Sequence, residues 1–389
     1  MKILRIISRM NVGGPSKHVA NLSEGLNKYN CETLLISGQP SLAEGDMFQL
    51  AHSKQISLKT IKYMKRPVSP LYDLISFIKI IIEIKRFSPD IVHTHTAKAG
   101  ILGRAAALVC GVPKIYHTYH GHVFKGYFSK FISLLILAIE RFFSAFTTKL
   151  IVLTPNLATE LKGLLRIKNS DKIEVIPLGL DLNKNLSTPR KQNIWRKSMG
   201  FSQNDLVIAI VARLVPVKNH NLLINSMEHL CKKFPELHLA IIGNGEKETE
   251  LKQQVKTLGL TNKIHFCGII NNMEIAYSDI DLLVLCSKNE GTPVVLIEAL
   301  ASGCPVAAID VGGVKEVLKD GLYGRLLPSK PEEFTQALGK AINDIKEGKF
   351  KEYPTAETRQ EVSKAYSVDN LVRNIYKLYS ERTAKQSFA

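Results

Sequence analysis

The chain has 389 residues, 45% of them apolar and 22% charged, so it is too long for one small module and too apolar for a disordered polymer. Its 52 Lys and Arg against 35 Asp and Glu leave a net charge of +17, and the excess is uneven: residues 1–180 hold 24 basic and 11 acidic side chains, the remainder 28 and 24. The first half is therefore expected to meet an anionic partner.

Six cysteines, at 31, 110, 231, 267, 286 and 304, form no CxxC pair, which excludes a zinc knuckle and suits a reducing cytosol. Residues 1–8 read as a short apolar strand without an h-region or small-residue cleavage site, so no export signal is expected. The most apolar later stretch, 131–139, meets Glu140 and Arg141 after nine residues, whereas a spanning helix needs about 20. The protein is expected to lie on a membrane without crossing it.

In chain order, β-rich runs alternate with helical patterns: 2–7 then 17–27, 90–93 then 100–110, 114–117 then a long helical stretch, followed by strands at 150–153 and 174–176. A polar stretch over 181–205 breaks the rhythm after the turn Pro177-Leu178-Gly179. It restarts with strands at 206–211, 237–242, 264–267, 282–286 and 306–309 and helices near 221–234 and 247–258. This alternation predicts two doubly wound α/β domains in tandem, 1–180 and 181–366, with a C-terminal helix over about 367–381 packing back on the first. In such sheets ligands bind beyond the carboxyl ends of the strands. Gly13-Gly14 follows the first strand at such an end and precedes a helix expected near Ser16, which suits a backbone approaching a phosphate.

The segment Glu290-Gly-Thr-Pro-Val-Val-Leu-Ile-Glu298 carries the most chemistry. Thr292 reads as an N-cap, Pro293 as the first helical residue and Gly303 as the C-terminal stop, which puts Glu290 in the loop and Glu298 about 7.5 Å along the helix. That spacing fits a ligand laid along the helix start. The amides from Thr292 through Val294 to Val295 would face a diphosphate, Glu298 a ribose diol and Glu290 hydroxyls on the other side. Arg213 and Lys218, in Arg-Leu-Val-Pro-Val-Lys, share a loop at the same sheet edge and supply cations without metal. Gly243-Asn-Gly245 and Gly268 end two further strands, where a flat base has access to backbone.

Together these residues resemble the retaining nucleotide-sugar glycosyltransferases of family 4, which have the GT-B fold with two Rossmann-like domains facing a cleft. The resemblance spans nearly the whole chain. It implies that Glu290 and Glu298, an E-x7-E pair, bind the donor sugar and the ribose, and that Arg213 and Lys218 bind the diphosphate. Ala212 stands where the family's G-R-L pattern has Gly. Gly13 and Gly14 resemble the acceptor-side loop, with Gly14 also near the donor. Thr118-Tyr-His120-Gly121 resembles the loop whose histidine faces the donor sugar, with His95 on the acceptor side, and Val175-Ile-Pro-Leu-Gly-Leu-Asp181 resembles the hinge, with Leu178 in place of Asn. The implied donor site comprises Gly14, Arg213, Lys218, Gly243, Gly268, Glu290, Gly291, Thr292, Pro293, Val294 and Glu298. Glu290, His120, Arg213 and Lys218 are the residues expected to act in catalysis. No carboxylate lies in the 117–122 loop, so front-face attack without a protein nucleophile is expected.

Two other enzyme classes compete. His93, His95, His117, His120 and His122 fall within 30 residues and suggest a zinc-dependent hydrolase. The double α/β rhythm suggests an NAD-dependent dehydrogenase, but neither glycine loop completes G-x-G-x-x-G. Asp279-Ile-Asp281 imitates a metal-binding DxD, yet it precedes its strand and is expected to cap or pair. No aromatic stripe interleaves with basic residues, so nucleic acid is not an expected partner. The expected partners are a nucleotide-sugar donor, with UDP as the nucleotide the resemblance implies, a lipid-linked polyprenyl-diphosphate glycan acceptor, with a small soluble acceptor as the alternative, and an anionic membrane surface. The expected cofactor is none, metal included, and the expected place is the cytoplasm at the inner face of the plasma membrane. Lys125, Tyr127, Phe128, Lys130 and Phe131, between the His120 loop and a long apolar helix, are the expected membrane contact.

Overall fold

The computed structural model describes residues 1–11, 13–40, 45–65, 67–121, 130–351 and 354–381. The chain divides into two compact units, one of residues 1–180 together with the C-terminal residues from Tyr366, the other Asp181–Ala365.

Unit 1 runs β1 (Lys2–Ile7), α1 (Gly14–Gly25), β2 (Glu32–Gly38), α2 (Phe48–Ser53), β3 (Ser57–Ile61), α3 (Pro70–Phe87), β4 (Ile91–His95), α4 (Ala97–Val109), β5 (Lys114–Tyr119), α5 (Lys130–Phe146), β6 (Lys149–Val152), α6 (Pro155–Leu165) and β7 (Ile173–Val175). Among the described residues its sheet has seven parallel strands in the order β3-β2-β1-β4-β5-β6-β7, so the winding reverses between β1 and β4. Five of the six side chains of β1 are buried, because helices cover both faces of the sheet. Leu4 and Ile6 pack with Ile80 and Ile84 of α3 and Ala106 of α4, while Ile3 packs on the other face with Leu22 of α1, the alternation a strand imposes. Arg5 points to that second face, fully buried, and its Nη1 donates to Ser23 Oγ at 2.9 Å.

Unit 2 runs α7 (Asn183–Ser187), α8 (Ile194–Ser198), β8 (Leu206–Val211), α9 (His220–Lys233), β9 (Leu237–Ile242), α10 (Glu248–Thr257), β10 (Ile264–Gly268), α11 (Met273–Asp279), β11 (Leu282–Leu285), α12 (Val294–Ala301), β12 (Val306–Ile309), α13 (Val314–Val317), β13 (Arg325–Leu327), α14 (Pro331–Lys346) and α15 (Ala356–Ala365). Its described strands are ordered β10-β9-β8-β11-β12-β13, which places the reversal between β8 and β11. Each unit is thus a doubly wound sheet whose ligand crevice belongs at the carboxyl ends flanking its own reversal. Asp279 and Asp281 lie at the opposite, amino end of β11. Asp279 accepts from the backbone N–H of Asn193 and Trp195, both at 2.8 Å, and Asp281 pairs with Lys191 and Arg196, so the DxD look-alike is a cap and a salt bridge.

The last helix, α16 (Val368–Ser380), belongs to unit 1. Ser367 caps it by accepting from Asn370 N–H at 3.0 Å. Leu371, Val372, Ile375, Leu378 and Tyr379 recur at helical spacing and are buried against Ile3, Leu22, Leu26 and Ile91. Each such side chain contributes about 1.5–3 kcal/mol when fully buried. The exposed Lys28–Asp369 pair beside them is worth far less, about 0–1 kcal/mol. Among the described residues no helix is long and apolar enough to cross a membrane.

Candidate functional site

In unit 2 the loops after β8, β11 and β12 interlock. Lys288 N–H donates to Val217 O at 2.8 Å, and Gly313 N–H donates to Gly291 O at 2.9 Å. Gly312 has φ 58°, and a Cβ there would lie 1.7 Å from Glu290 O, so only glycine lets this strand end support the Glu290 loop. On that support Lys218 Nζ donates to Glu290 Oε1 at 2.6 Å, with side-chain exposures of 21% and 10%. Two residues that the sequence assigns to one ligand are therefore joined directly, across the β8/β11 reversal. Arg213 is exposed on the same β8 loop and makes no ion pair among the described residues.

Gly243 N–H donates to Gly268 O at 2.7 Å, and a Cβ on Gly243 would meet Ala212 O at 2.1 Å, so these loop ends abut the Arg213 loop. Glu298 sits on α12, where Tyr277 of α11, itself fully buried, donates its hydroxyl to Glu298 Oε2 at 3.1 Å. Burial and the neighbouring Glu298 carboxylate push the Tyr277 hydroxyl well above its ordinary pKa, so it stays a donor.

The helix start differs from the expectation. Pro293, not Thr292, occupies the N-cap position with φ −76° and ψ 91°, and α12 begins at Val294 with no side-chain cap. Leu296 N–H donates to Pro293 O at 3.1 Å, because an extended proline presents its carbonyl to the first turn. Thr292 Oγ1 is buried without a hydrogen-bond partner, and Glu298 falls four steps into the helix, about 6 Å from its start. At the far end Gly303, φ 74°, and Cys304 donate to Leu300 O and Ala299 O at 2.9 Å each, closing a Schellman turn.

In unit 1 the ends of β1, β4 and β5 gather histidines. His18 of α1, His95 at the end of β4 and His120 after β5 bring ring nitrogens within 4.8 Å of one another, and His95 Nδ1 lies 3.2 Å from His120 Nε2. His18 Nδ1 and Nε2 and His95 Nε2 are buried without partners. Burial pushes His120 down to about 4 and holds His18 and His95 well below the ordinary imidazole value, so all three are neutral near pH 7. The cluster read from sequence is thus corrected. His93 spends both ring nitrogens, on Tyr379 Oη at 2.5 Å and Thr118 Oγ1 at 2.7 Å, and His117 Nδ1 bonds Thr94 Oγ1 at 2.8 Å. His122, Lys125, Tyr127 and Phe128 lie outside the described residues, as do the side chains of Lys130 and Phe131.

α1 begins at Gly14, two residues before the expected Ser16, with Gly13 at the N-cap position. Gly13 is extended and a Cβ on Gly14 meets nothing within 4 Å, so neither conformation nor packing demands glycine here. What the pair supplies is open backbone. The sequence reading missed Tyr277, His18 and Gly312-Gly313. The last repeats the strand-then-Gly-Gly pattern already noted at Gly13-Gly14, whereas Tyr277 and His18 carry no spacing signal.

The family model described as Glycosyltransferase Family 4 matches residues 12–184, and the one described as Glycosyl transferases group 1 matches residues 191–365. A UDP-Gal:alpha-D-GlcNAc-diphosphoundecaprenol alpha-1,3-galactosyltransferase of Escherichia coli is 30% identical over 318 residues, 81% of each chain. The chain belongs to the family 4 glycosyltransferases. An uncharacterized glycosyltransferase of Methanocaldococcus jannaschii is 25% identical and covers 95% of both chains. Among solved structures, HepE of Anabaena in complex with UDP is similar over 98% of this chain and 100% of its own, with a TM-score of 0.82 at 20% identity. Family and fold together make the protein a GT-B glycosyltransferase and remove the zinc-hydrolase and dehydrogenase readings.

Proposed function

We propose that the protein transfers a hexosyl or N-acetylhexosaminyl group, with retention of anomeric configuration, from a UDP-sugar to a lipid-linked diphosphate glycan in cell-surface polysaccharide synthesis. The observation that carries this reading is the Lys218–Glu290 contact at the β8/β11 reversal. It sets a cation and a hydroxyl-binding carboxylate side by side where a doubly wound sheet receives its ligand.

In this reading Arg213, Lys218 and the uncapped amides of α12 stabilise the charge that develops on the departing diphosphate. Glu298, held by Tyr277, accepts from the ribose diol, and Glu290 accepts from the transferred sugar. Gly243 and Gly268 leave room for the base, and Gly291, Thr292, Pro293 and Val294 border the phosphates. Unit 1 takes the acceptor, with Gly13, Gly14 and His95 beside it and neutral His120 acting as a hydrogen-bonding group toward the sugar. The reaction needs no metal, because the cations are side chains. The acceptor class is taken from the E. coli relative, whose printed activity uses a diphosphoundecaprenol-linked GlcNAc. A cytoplasmic enzyme held peripherally at the plasma membrane follows from that acceptor and from the basic first half of the chain.

A thermal-shift comparison of UDP-, GDP- and ADP-sugars tests the donor, since a ligand at 100 times its Kd stabilises by about 2.7 kcal/mol. UDP-sugars are expected to raise the melting temperature and to leave an α-linked product on a GlcNAc-diphospholipid. A response confined to GDP- or ADP-sugars, or a β-linked product from an α-linked donor, overturns the reading.

A further inference from the structure

Three elements of unit 1 each deliver one histidine to the same place: α1 brings His18, the end of β4 brings His95, and His120 follows β5 directly. His95 Nδ1 and His120 Nε2 are 3.2 Å apart. Two nitrogens bound tetrahedrally to one zinc ion at roughly 2.0–2.1 Å are about 3.3 Å apart, so this pair already has the spacing of two ligands. His18 stands edge-on to both rings, its centroid 5.8 Å from that of His95 and 4.9 Å from that of His120. Ring nitrogens of all three lie within 4.8 Å of one another, so a side-chain adjustment of about 1.5 Å brings the third to ligand spacing.

Packing alone does not account for this arrangement. His18 Nδ1 and Nε2 and His95 Nε2 are buried without a hydrogen-bond partner among the described residues. Native structures pair most buried polar atoms, and those left bare usually serve a ligand or a reaction. His93 does not join the group. It packs on His95 with ring centroids 4.2 Å apart and spends its own nitrogens on Tyr379 and Thr118.

The donor set selects the ligand. All three rings are held neutral near pH 7, the form that a metal ion takes. Among the described residues no carboxylate or thiol belongs to the group. Three imidazoles with a fourth position open suit Zn²⁺, Co²⁺, Ni²⁺ or Cu²⁺, whereas Mg²⁺ and Ca²⁺ demand oxygen. Buried Arg5 lowers the proton affinity of His18 and His95 and opposes any cation there, so ligand chemistry rather than charge decides what binds. Half-buried His120 gives an ion its way in.

We propose that His18, His95 and His120 form a reversible site for a zinc-class transition-metal ion, and that an ion bound there stops transfer by withdrawing His120 from the sugar. The inhibition rests on the role given to His120 above; the site rests on the three rings alone. The ion is an inhibitor rather than a cofactor, which agrees with transfer that needs no metal.

The test uses the untagged full chain, stripped with EDTA and dialysed, with Zn²⁺, Co²⁺ and Mg²⁺ as probes. Zinc is expected to bind at one equivalent in competition with a chromophoric chelator, cobalt to develop the visible bands of a low-coordinate nitrogen site, and magnesium to do neither. His18→Gln should weaken zinc binding by about 100-fold or more, since a lost ligand costs at least as much as a lost outer-shell partner. His18→Cys supplies another ligand and should keep the binding, which separates loss of a ligand from misfolding. Transfer from a UDP-sugar, scored against each variant's own metal-free rate, should fall about 100-fold at saturating zinc and return with EDTA, and His18→Gln should resist the same zinc concentration. Equal zinc affinity in wild type and His18→Gln overturns the site. Stoichiometric binding through His18 with undiminished transfer overturns the inhibition. Failure of the underlying reading looks different: stripped enzyme that releases no UDP from any UDP-sugar, yet binds zinc through His18, defeats the transfer reading and leaves the site standing.

Discussion

Replacing Lys218 by methionine separates the structural and catalytic roles of one side chain. Lys218 and Glu290 are 2.6 Å apart with exposures of 21% and 10%, so the pair is desolvated enough for its hydrogen bond to matter. A hydrogen bond to a charged group contributes about 1.5–3 kcal/mol, and Lys218→Met should lower unfolding stability by about that amount because the Glu290 carboxylate loses its cation. Adding Glu290→Gln removes the stranded charge and should recover most of the loss. Transfer should not recover. A group that stabilises charge developing in the transition state is worth about 2.7–4 kcal/mol, a 10²- to 10³-fold loss of kcat in both variants. Urea unfolding reads the first quantity and UDP release the second. Activity that returns with stability in the double variant, or a single variant turning over at more than a tenth of the wild-type rate, would show that the pair is a structural salt bridge and refute the diphosphate assignment.

Glu298→Ala should weaken UDP binding by about 1.5–3 kcal/mol by calorimetry, whereas Glu290→Ala should lower kcat more than it raises the donor Kd; wild-type kinetics in both would displace the donor site. Transfer should persist in EDTA, and complete loss restored by manganese or zinc would contradict charge stabilisation by Arg213 and Lys218. Stability should fall as pH drops from about 6.5 toward 4, because the unfolded chain binds protons that buried His120, held at about 4, refuses, and His18, His93, His95 and His117 add to the same slope. His120→Asn should flatten that slope by up to about 1.4 kcal/mol per pH unit; a urea midpoint that is unchanged between pH 7 and pH 5 in wild type would refute the buried neutral state.

The residues legible before any coordinates are those whose signal is local. β8 reads as an unbroken apolar run and β1 as an apolar run interrupted by Arg5, and the loops that follow them carry Arg213 and Gly13-Gly14. The placement of Glu290 in the loop before α12 and of Glu298 within it was legible for the same reason, since both lie in one local segment. The cap was misread locally, since Thr-Pro before an apolar run fits two helix starts one residue apart, and only the proline ψ of 91° decides between them.

What was not legible depends on strand order. Lys218 and Glu290 are 72 positions apart and meet only because β8 pairs with β11 rather than with another strand. By the same geometry β1 pairs with β4, which carries His95 toward His18 on α1, 77 positions earlier in numbering. A run of five histidines within 30 residues looked like a cluster because sequence distance stood in for spatial distance; the sheet instead sends His93 to Tyr379, 286 positions away on α16, and replaces it with His18. In both units, then, the groups brought together across a strand-order reversal come from opposite sides of it in the chain. A doubly wound chain is therefore read for function by pairing the loops that flank its reversals, β1 with β4 and β8 with β11, before counting neighbours along the sequence.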